Sequence, residues 1–227
     1  MSVELIHGDC MDYMRNLPDN AFDLAIVDPP YGIKADGHRD NNRSKLTQTT
    51  DYHKALWDMS APDSDYFDEL FRVSKNQIIW GANHFAQSIG RGSSCWIVWD
   101  KVNGENDFAD CELAFTSFKT SARIFPFMWA GMRQGDPANG KLMQGNKKLN
   151  EKRIHPTQKP IQLYRWLLSK YADPGQRILD THLGSGSSAI AAYEFGCDFV
   201  GIEIDDTHYG DTKKRVEQMT RQETLFV

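Results

Sequence analysis

The chain predicts an α/β fold, with a mostly parallel mixed sheet flanked by helices. Seven short runs rich in β-branched and aromatic residues lead there: Val3 to Ile6, Phe22 to Val27, Gln77 to Trp80, Cys95 to Trp99, Glu112 to Ser117, Arg177 to Leu179 and Phe199 to Ile202. Several are apolar throughout, as strands buried on both faces must be. Between them, Asp65 to Val73, Ile161 to Tyr171 and Ser187 to Phe195 repeat apolar residues at spacings of three and four, the helical period.

The 227 residues are 40% hydrophobic and 25% charged, a globular balance that predicts one domain over residues 1–227. The N-terminus MSVELIHGDC has no basic segment followed by an apolar run, and no stretch is long and apolar enough to span a bilayer, so a cytoplasmic protein is expected. Cys10, Cys95, Cys111 and Cys197 are scattered without ligand spacing, so neither disulfide nor metal is expected.

The net charge of −5 speaks against a nucleic-acid partner until its distribution is considered. Nine Lys and Arg fall between Lys119 and Pro160 against two acids, Asp136 and Glu151. Such a run is either a solvated loop or a phosphate-binding surface. Two stretches also lack periodicity, 32–54 and 133–154. Both are long for connections inside a compact domain, which points to loops with a function. Arg43 and Lys45 in the first, and Lys147, Lys148 and Arg153 in the second, are the candidate contacts to a phosphate backbone, with 119–154 as a short basic recognition segment.

Two motifs carry chemistry. The first is Asp180-Thr-His-Leu-Gly-Ser-Gly-Ser-Ser-Ala189, between a strand and a helix. Glycines there let a ligand approach the backbone, and the free N–H groups of the helix start favour an anionic group. Glu203 ends the next apolar strand, where an acid can accept from both hydroxyls of a ribose. The pattern suits a nucleoside, and Gly184-x-Gly186-x-x-Ala189 also fits the dinucleotide fingerprint. Fewer than fifty residues follow it, so earlier strands must complete the sheet.

The second motif is Asp28-Pro29-Pro30-Tyr31, directly after an apolar strand. A rigid turn is the plain reading, but strand carboxyl ends are where open α/β sheets bind ligands. The residues suit an exocyclic amine, whose lone pair is delocalised into the base. The Asp28 carboxylate and the Pro29 carbonyl can accept its two hydrogens and turn the lone pair outward. Proline holds that carbonyl in place, and Tyr31 offers an aromatic face to a flipped base.

Together the two motifs resemble the amino-methyltransferases of DNA, N6-adenine or N4-cytosine specific. Their order resembles the circularly permuted β group, with DPPY first and the cofactor turn near the C-terminus. The resemblance implies a Rossmann-like S-adenosylmethionine-dependent fold. Asp180, Thr181, Gly184, Ser185, Gly186, Ser187 and Glu203 would then hold the cofactor. Leu5-Ile-His-Gly-Asp9-Cys10 is similar to the opening strand whose Asp contacts the cofactor adenine. His155-Pro-Thr157-Gln-Lys159-Pro160 is similar to the motif placing Thr157 and Lys159 near the methionine end, and Tyr209 and Arg215 match the helix after Glu203.

The implied reaction is direct transfer to N6 of adenine, with Asp28, Pro29, Pro30 and Tyr31 at the reacting amine. The implied partners are DNA and, as one option, a second copy of the chain in a homodimer. Asp at position 28 favours adenine, since Ser is commoner in the cytosine-N4 relatives, and Asn is commoner where RNA or a protein amide is the acceptor. No cysteine follows a proline as a C5-cytosine nucleophile would. A nicotinamide oxidoreductase leaves DPPY without a task, and a silent DNA-binding module needs neither motif intact. Thr181 and His182 depart from the family's usual Pro and Phe.

Overall fold

A computed structural model of the chain describes residues 1–32, 61–104, 109–130, 133–136, 150–155 and 157–223. The chain begins with β1 (Val3–His7), α1 (Cys10–Arg15) and β2 (Phe22–Val27), and continues through α2 (Ser64–Val73) into β3 (Ser74–Trp80). A 3-10 turn, Ala82–His84, leads into α3 (Ala86–Ile89), β4 (Ile97–Asp100), β5 (Cys111–Thr116) and β6 (Arg123–Pro126). The short pair β7 (Met128–Ala130) and β8 (Arg133–Gly135) follows. The chain then runs through α4 (Ile161–Tyr171), β9 (Arg177–Asp180), α5 (Ser187–Phe195), β10 (Asp198–Glu203) and α6 (Asp206–Glu223).

Eight strands form one sheet in the order β1-β10-β9-β2-β3-β5-β4-β6. β1, β10, β9, β2 and β3 pair in parallel, and β5 is antiparallel to both its neighbours. The strands are apolar on both sides because each side is covered. Leu24, Ile26, Ile78, Trp80 and Ile178 face a core shared with α4 and α5. Their chain neighbours Ala25, Val27, Ile79 and Leu179 face the opposite core, shared with α1, α2 and α3. The hydrophobic effect therefore acts on alternate residues in opposite directions, which removes the two-residue alternation from the sequence.

From β9 the chain moves outward to β10 in one direction, and from β2 it moves to β3 in the other, while β9 and β2 lie side by side. That reversal opens a crevice beyond the strand carboxyl ends, the ligand position of open α/β sheets. The carboxyl end of β2 leads directly into Asp28, and that of β9 is Asp180 itself. Both motifs thus meet at the crevice, although 152 positions separate them in the chain.

All seven expected strands and all three expected helices are present, with bounds shifted by up to three residues. Part of the stretch 133–154 differs from its expectation: it opens with β8, which pairs antiparallel with β7. β6 was also not legible. It lies at the sheet edge beside β4, where Arg123 and Ile124 face solvent, so charge and exposure conceal the strand pattern. Of 32–54 only Gly32 is among the described residues. Among the described residues no helix is long and apolar enough to cross a membrane.

Candidate active site

Asp28 lies just past β2 with its carboxylate engaged on both oxygens. The Tyr31 hydroxyl donates to Oδ1 at 2.8 Å, and Lys159 Nζ donates to Oδ2. The Lys159 side chain is 3% exposed, and its ammonium also lies 3.0 Å from Glu112 Oε2 of β5. Lys101, just beyond β4, meets Glu112 Oε1 at 2.7 Å. A row of alternating charge thus runs from Lys101 through Glu112 and Lys159 to Asp28.

Burial pushes the Asp28 carboxyl above its usual range; Lys159 opposes that rise and Glu112 adds to it. Burial also works against the Lys159 ammonium, but Asp28 and Glu112 outweigh it and hold the proton more tightly than usual. For Glu112 burial is likewise unfavourable, and Lys159 with Lys101 outweighs it, bringing the carboxyl down to about 2. At neutral pH Lys159 and Glu112 are therefore charged.

The Tyr31 ring stacks on His84 at 5.0 Å between centroids and meets Phe85 edge-on at 5.9 Å. It lies against Gly81, the residue after β3, whose φ of +68° is natural only to glycine. Pro29 is buried and Pro30 partly so. Tyr31 therefore contributes a hydroxyl to Asp28 as well as the aromatic face read from the sequence.

Across the crevice, the turn from β9 to α5 is held from beneath. Asp180 is buried and accepts from the His182 N–H at 3.1 Å and the Ser188 hydroxyl at 2.6 Å; burial moves its carboxyl up to about 7. Gly184 and Gly186 have φ of +51° and +73°. They differ in their surroundings. A β-carbon on Gly184 would meet no atom closer than 3.9 Å, whereas one on Gly186 would sit 2.7 Å from Thr212 Cγ2 and 2.8 Å from Val216 Cγ2 of α6. Close ligand approach thus suits Gly184, and Gly186 is required by helix packing.

Glu203 ends β10, accepting the Gly184 N–H on Oε2 at 2.9 Å and the Asp205 N–H on Oε1 at 3.0 Å. Each oxygen keeps a further lone pair. Asp9 follows β1, the strand beside β10, and caps α1 by accepting from Met11 at 2.7 Å. Burial raises the neighbouring Cys10 thiol to about 12. Thr157 is exposed and bonds His155 Nδ1 through its hydroxyl at 3.1 Å. Ser185 and Ser187 are buried with their hydroxyls 3.1 Å apart, and Arg215 donates to the Ser185 carbonyl and to Ser187 Oγ. Tyr209 stacks on His7 at 5.1 Å. The open Gly184 face and the acids Glu203 and Asp9 on adjoining strand ends fit a ribonucleoside.

Residues 73–214 match the family model of the DNA methylases of N6/N4 type. The chain belongs to the DNA methylase family. It is a DNA methyltransferase of the N6-adenine/N4-cytosine group, whose methyl donor is S-adenosylmethionine. The methylase is 27% identical over 224 residues to YubD of Escherichia coli strain K12, which carries the name methylase; the match covers 95% of this chain and 91% of YubD. It is 26% identical over 246 residues to the type II methyltransferase M.HpaI of Haemophilus parainfluenzae, covering 96% and 75%. Its fold is similar to that of the M1.HpyAVI–SAM complex, with a TM-score of 0.57 and 21% identity over 94% of this chain and 99% of the other.

Sequence reasoning brought Asp28 to Tyr31, the Gly184 turn, Glu203 and Asp9 to one crevice. It did not find Glu112, Lys101, Gly81 or Tyr66, whose hydroxyl lies 2.6 Å from Thr181 Oγ1. Glu112 left one signal, an acid inside the apolar run CELAFT. His182 packs edge-on against Tyr66 at 5.5 Å, and burial lowers its ring to about 4. Arg153 is occupied at Trp129, with its guanidinium 4.7 Å from the ring and bonded to the Trp129 carbonyl. Arg43, Lys45, Lys147 and Lys148 lie outside the described residues.

Proposed function

We propose that this methylase transfers a methyl group from S-adenosylmethionine to N6 of adenine in DNA, on a base turned out of the duplex, and that it is of the permuted type. The observation that carries this reading is the Asp28 carboxylate just past the carboxyl end of β2, followed by Pro29, on the strand that pairs with β9, whose own carboxyl end leads into the Gly184 turn. Asp at position 28 supports adenine as the base.

Glu203 would accept from the ribose hydroxyls and Asp9 would lie toward the cofactor adenine. Thr157, Thr181, Ser185 and Ser187, with Asp180 beneath them, would shape the methionine end. S-adenosylmethionine supplies an electrophilic methyl on a sulfonium that departs as a neutral thioether. Asp28 and Pro29 accept the two hydrogens of the amine, aim its lone pair at that methyl and stabilise positive charge as it develops on nitrogen. Tyr31 holds the carboxylate in place and borders the base. The extra proton then leaves the methylated nitrogen for water. Arg43, Lys45, Lys147, Lys148 and Arg153 are proposed to lie toward the DNA backbone, where each neutralised phosphate would steepen the salt dependence of binding.

Expression in a host without DNA methylation, followed by mass analysis of the nucleosides, tests this. The expected product is N6-methyladenine in a fixed sequence context. N4-methylcytosine would replace the base assignment, and DNA without a methylated base would contradict the reading.

A further inference from the structure

Lys159 bridges two partly buried carboxylates from elements far apart in sequence, Asp28 after β2 and Glu112 on β5. Its ammonium nitrogen lies 5.5 Å from the centroid of the Trp80 ring and 5.7 Å from that of the Tyr31 ring. Packed this way, the ammonium has little freedom. We propose that Lys159 and Glu112 are positioning residues for methyl transfer: Lys159 fixes the plane of the Asp28 carboxylate and supplies its countercharge, and Glu112 holds Lys159 in that position.

The arrangement leaves the amine a defined acceptor. Lys159 takes Oδ2 and the Tyr31 hydroxyl takes one lone pair of Oδ1, so the second lone pair of Oδ1 is left for a substrate hydrogen. A buried carboxylate without a cation beside it would take up a proton and become a donor on that oxygen, which repels an amine hydrogen. The row Lys101, Glu112, Lys159, Asp28 alternates in sign and reaches the point where positive charge grows on nitrogen, so each member stabilises the next. Lys159 thereby acts on Asp28, in place of the methionine-end role that resemblance alone implied for it.

The inference rests on the methyltransferase reading, but its first test does not. The groups facing Asp28 are Tyr31, Lys159 and Glu112, with Tyr66 of α2, Tyr164 of α4 and Asp180 of β9 farther off. Of these only Lys159 is a cation, so Lys159→Met should move the Asp28 titration to higher pH. Carboxyl carbon NMR of aspartate-labelled protein reads this without any activity. Lys159→Arg, which keeps the charge, should restore most of it, and Glu112→Gln serves as an isosteric second variant if Lys159→Met does not fold.

In single-turnover transfer to DNA, Lys159→Met should be at least tenfold slow at pH 7, with its acid limb displaced upward and the rate recovering as pH rises. Glu112→Gln should be slowed several-fold, and both should bind S-adenosylmethionine within about threefold of wild type. An unmoved Asp28 titration overturns the proposal. So does a rate loss uniform across pH, or a Lys159→Met defect confined to cofactor affinity. A wild-type chain that moves no methyl group onto DNA would remove the functional reading, and the titration would still decide the inference.

Discussion

A β-carbon added to Gly81 would lie 2.1 Å from Cε1 of Tyr31, so the tyrosine ring occupies the space that a side chain at position 81 would fill. The glycine at the end of β3 is thus part of the seat of the DPPY turn. Gly81→Ala combines that clash with a φ of +68°, and the ring must shift. Methyl transfer should fall at least tenfold while S-adenosylmethionine affinity, which depends on the other side of the crevice, stays within a few fold. Single-turnover rates and calorimetry on the same preparation check this.

Tyr31 contributes through its hydroxyl as well as its ring, because Oδ1 of Asp28 accepts from it at 2.8 Å. A hydrogen bond to a charged group contributes about 1.5–3 kcal/mol. Tyr31→Phe should therefore lose roughly 10- to 150-fold in rate with the ring kept. Tyr31→Ala should lose more on duplex DNA and less when the target base is mismatched, since such a base is easier to flip. Labelled methyl incorporation into the two substrates separates the effects.

The contiguous motifs were legible because their chemistry sits within a few residues. DPPY carries its acceptors and its rigid backbone together, and the glycines of the β9–α5 turn are adjacent to the helix they open. What the sequence concealed depends on tertiary approach. Lys159 meets Asp28 across 131 positions. Nothing local to Lys101, Glu112 or Gly81 records what they touch. Seven strands were visible as apolar runs because both sheet faces are covered, while β6, β7 and β8, each only three or four residues long, were not.

Gly186→Ala should act on stability and only indirectly on the cofactor, since the added carbon meets Thr212 and Val216 of α6 at a φ of +73°. Overpacking of this kind costs about 1–3 kcal/mol, which for a chain of this size lowers Tm by roughly 2–12 °C. Calorimetry with and without S-adenosylmethionine should show the loss in both scans. Glu203→Ala should instead weaken cofactor binding by tenfold or more.

Asp180 gives the fold a pH dependence of unusual sign. Its folded carboxyl titrates at about 7, against 3.8 for the ordinary group, because burial disfavours the charge. The folded state then holds one more proton than the unfolded state between those values. The contribution is fully present below about 3.8 and is lost as pH rises through about 7. Asp180→Asn should remove it, so the stability of wild type relative to the variant should fall from pH 5 to pH 8. Urea unfolding at several pH values measures this, and a difference that rises over that range would contradict it.

The most direct test of the central claim is Asp28→Ala, with methyl transfer and cofactor affinity measured together. Asp28 is assigned to the amine and not to S-adenosylmethionine. The account therefore predicts a folded variant that binds the cofactor within a few fold of wild type and transfers methyl about 100-fold more slowly or worse, the scale of losing one acceptor aimed at developing charge. A folded Asp28→Ala protein that methylates DNA at near the wild-type rate would contradict it.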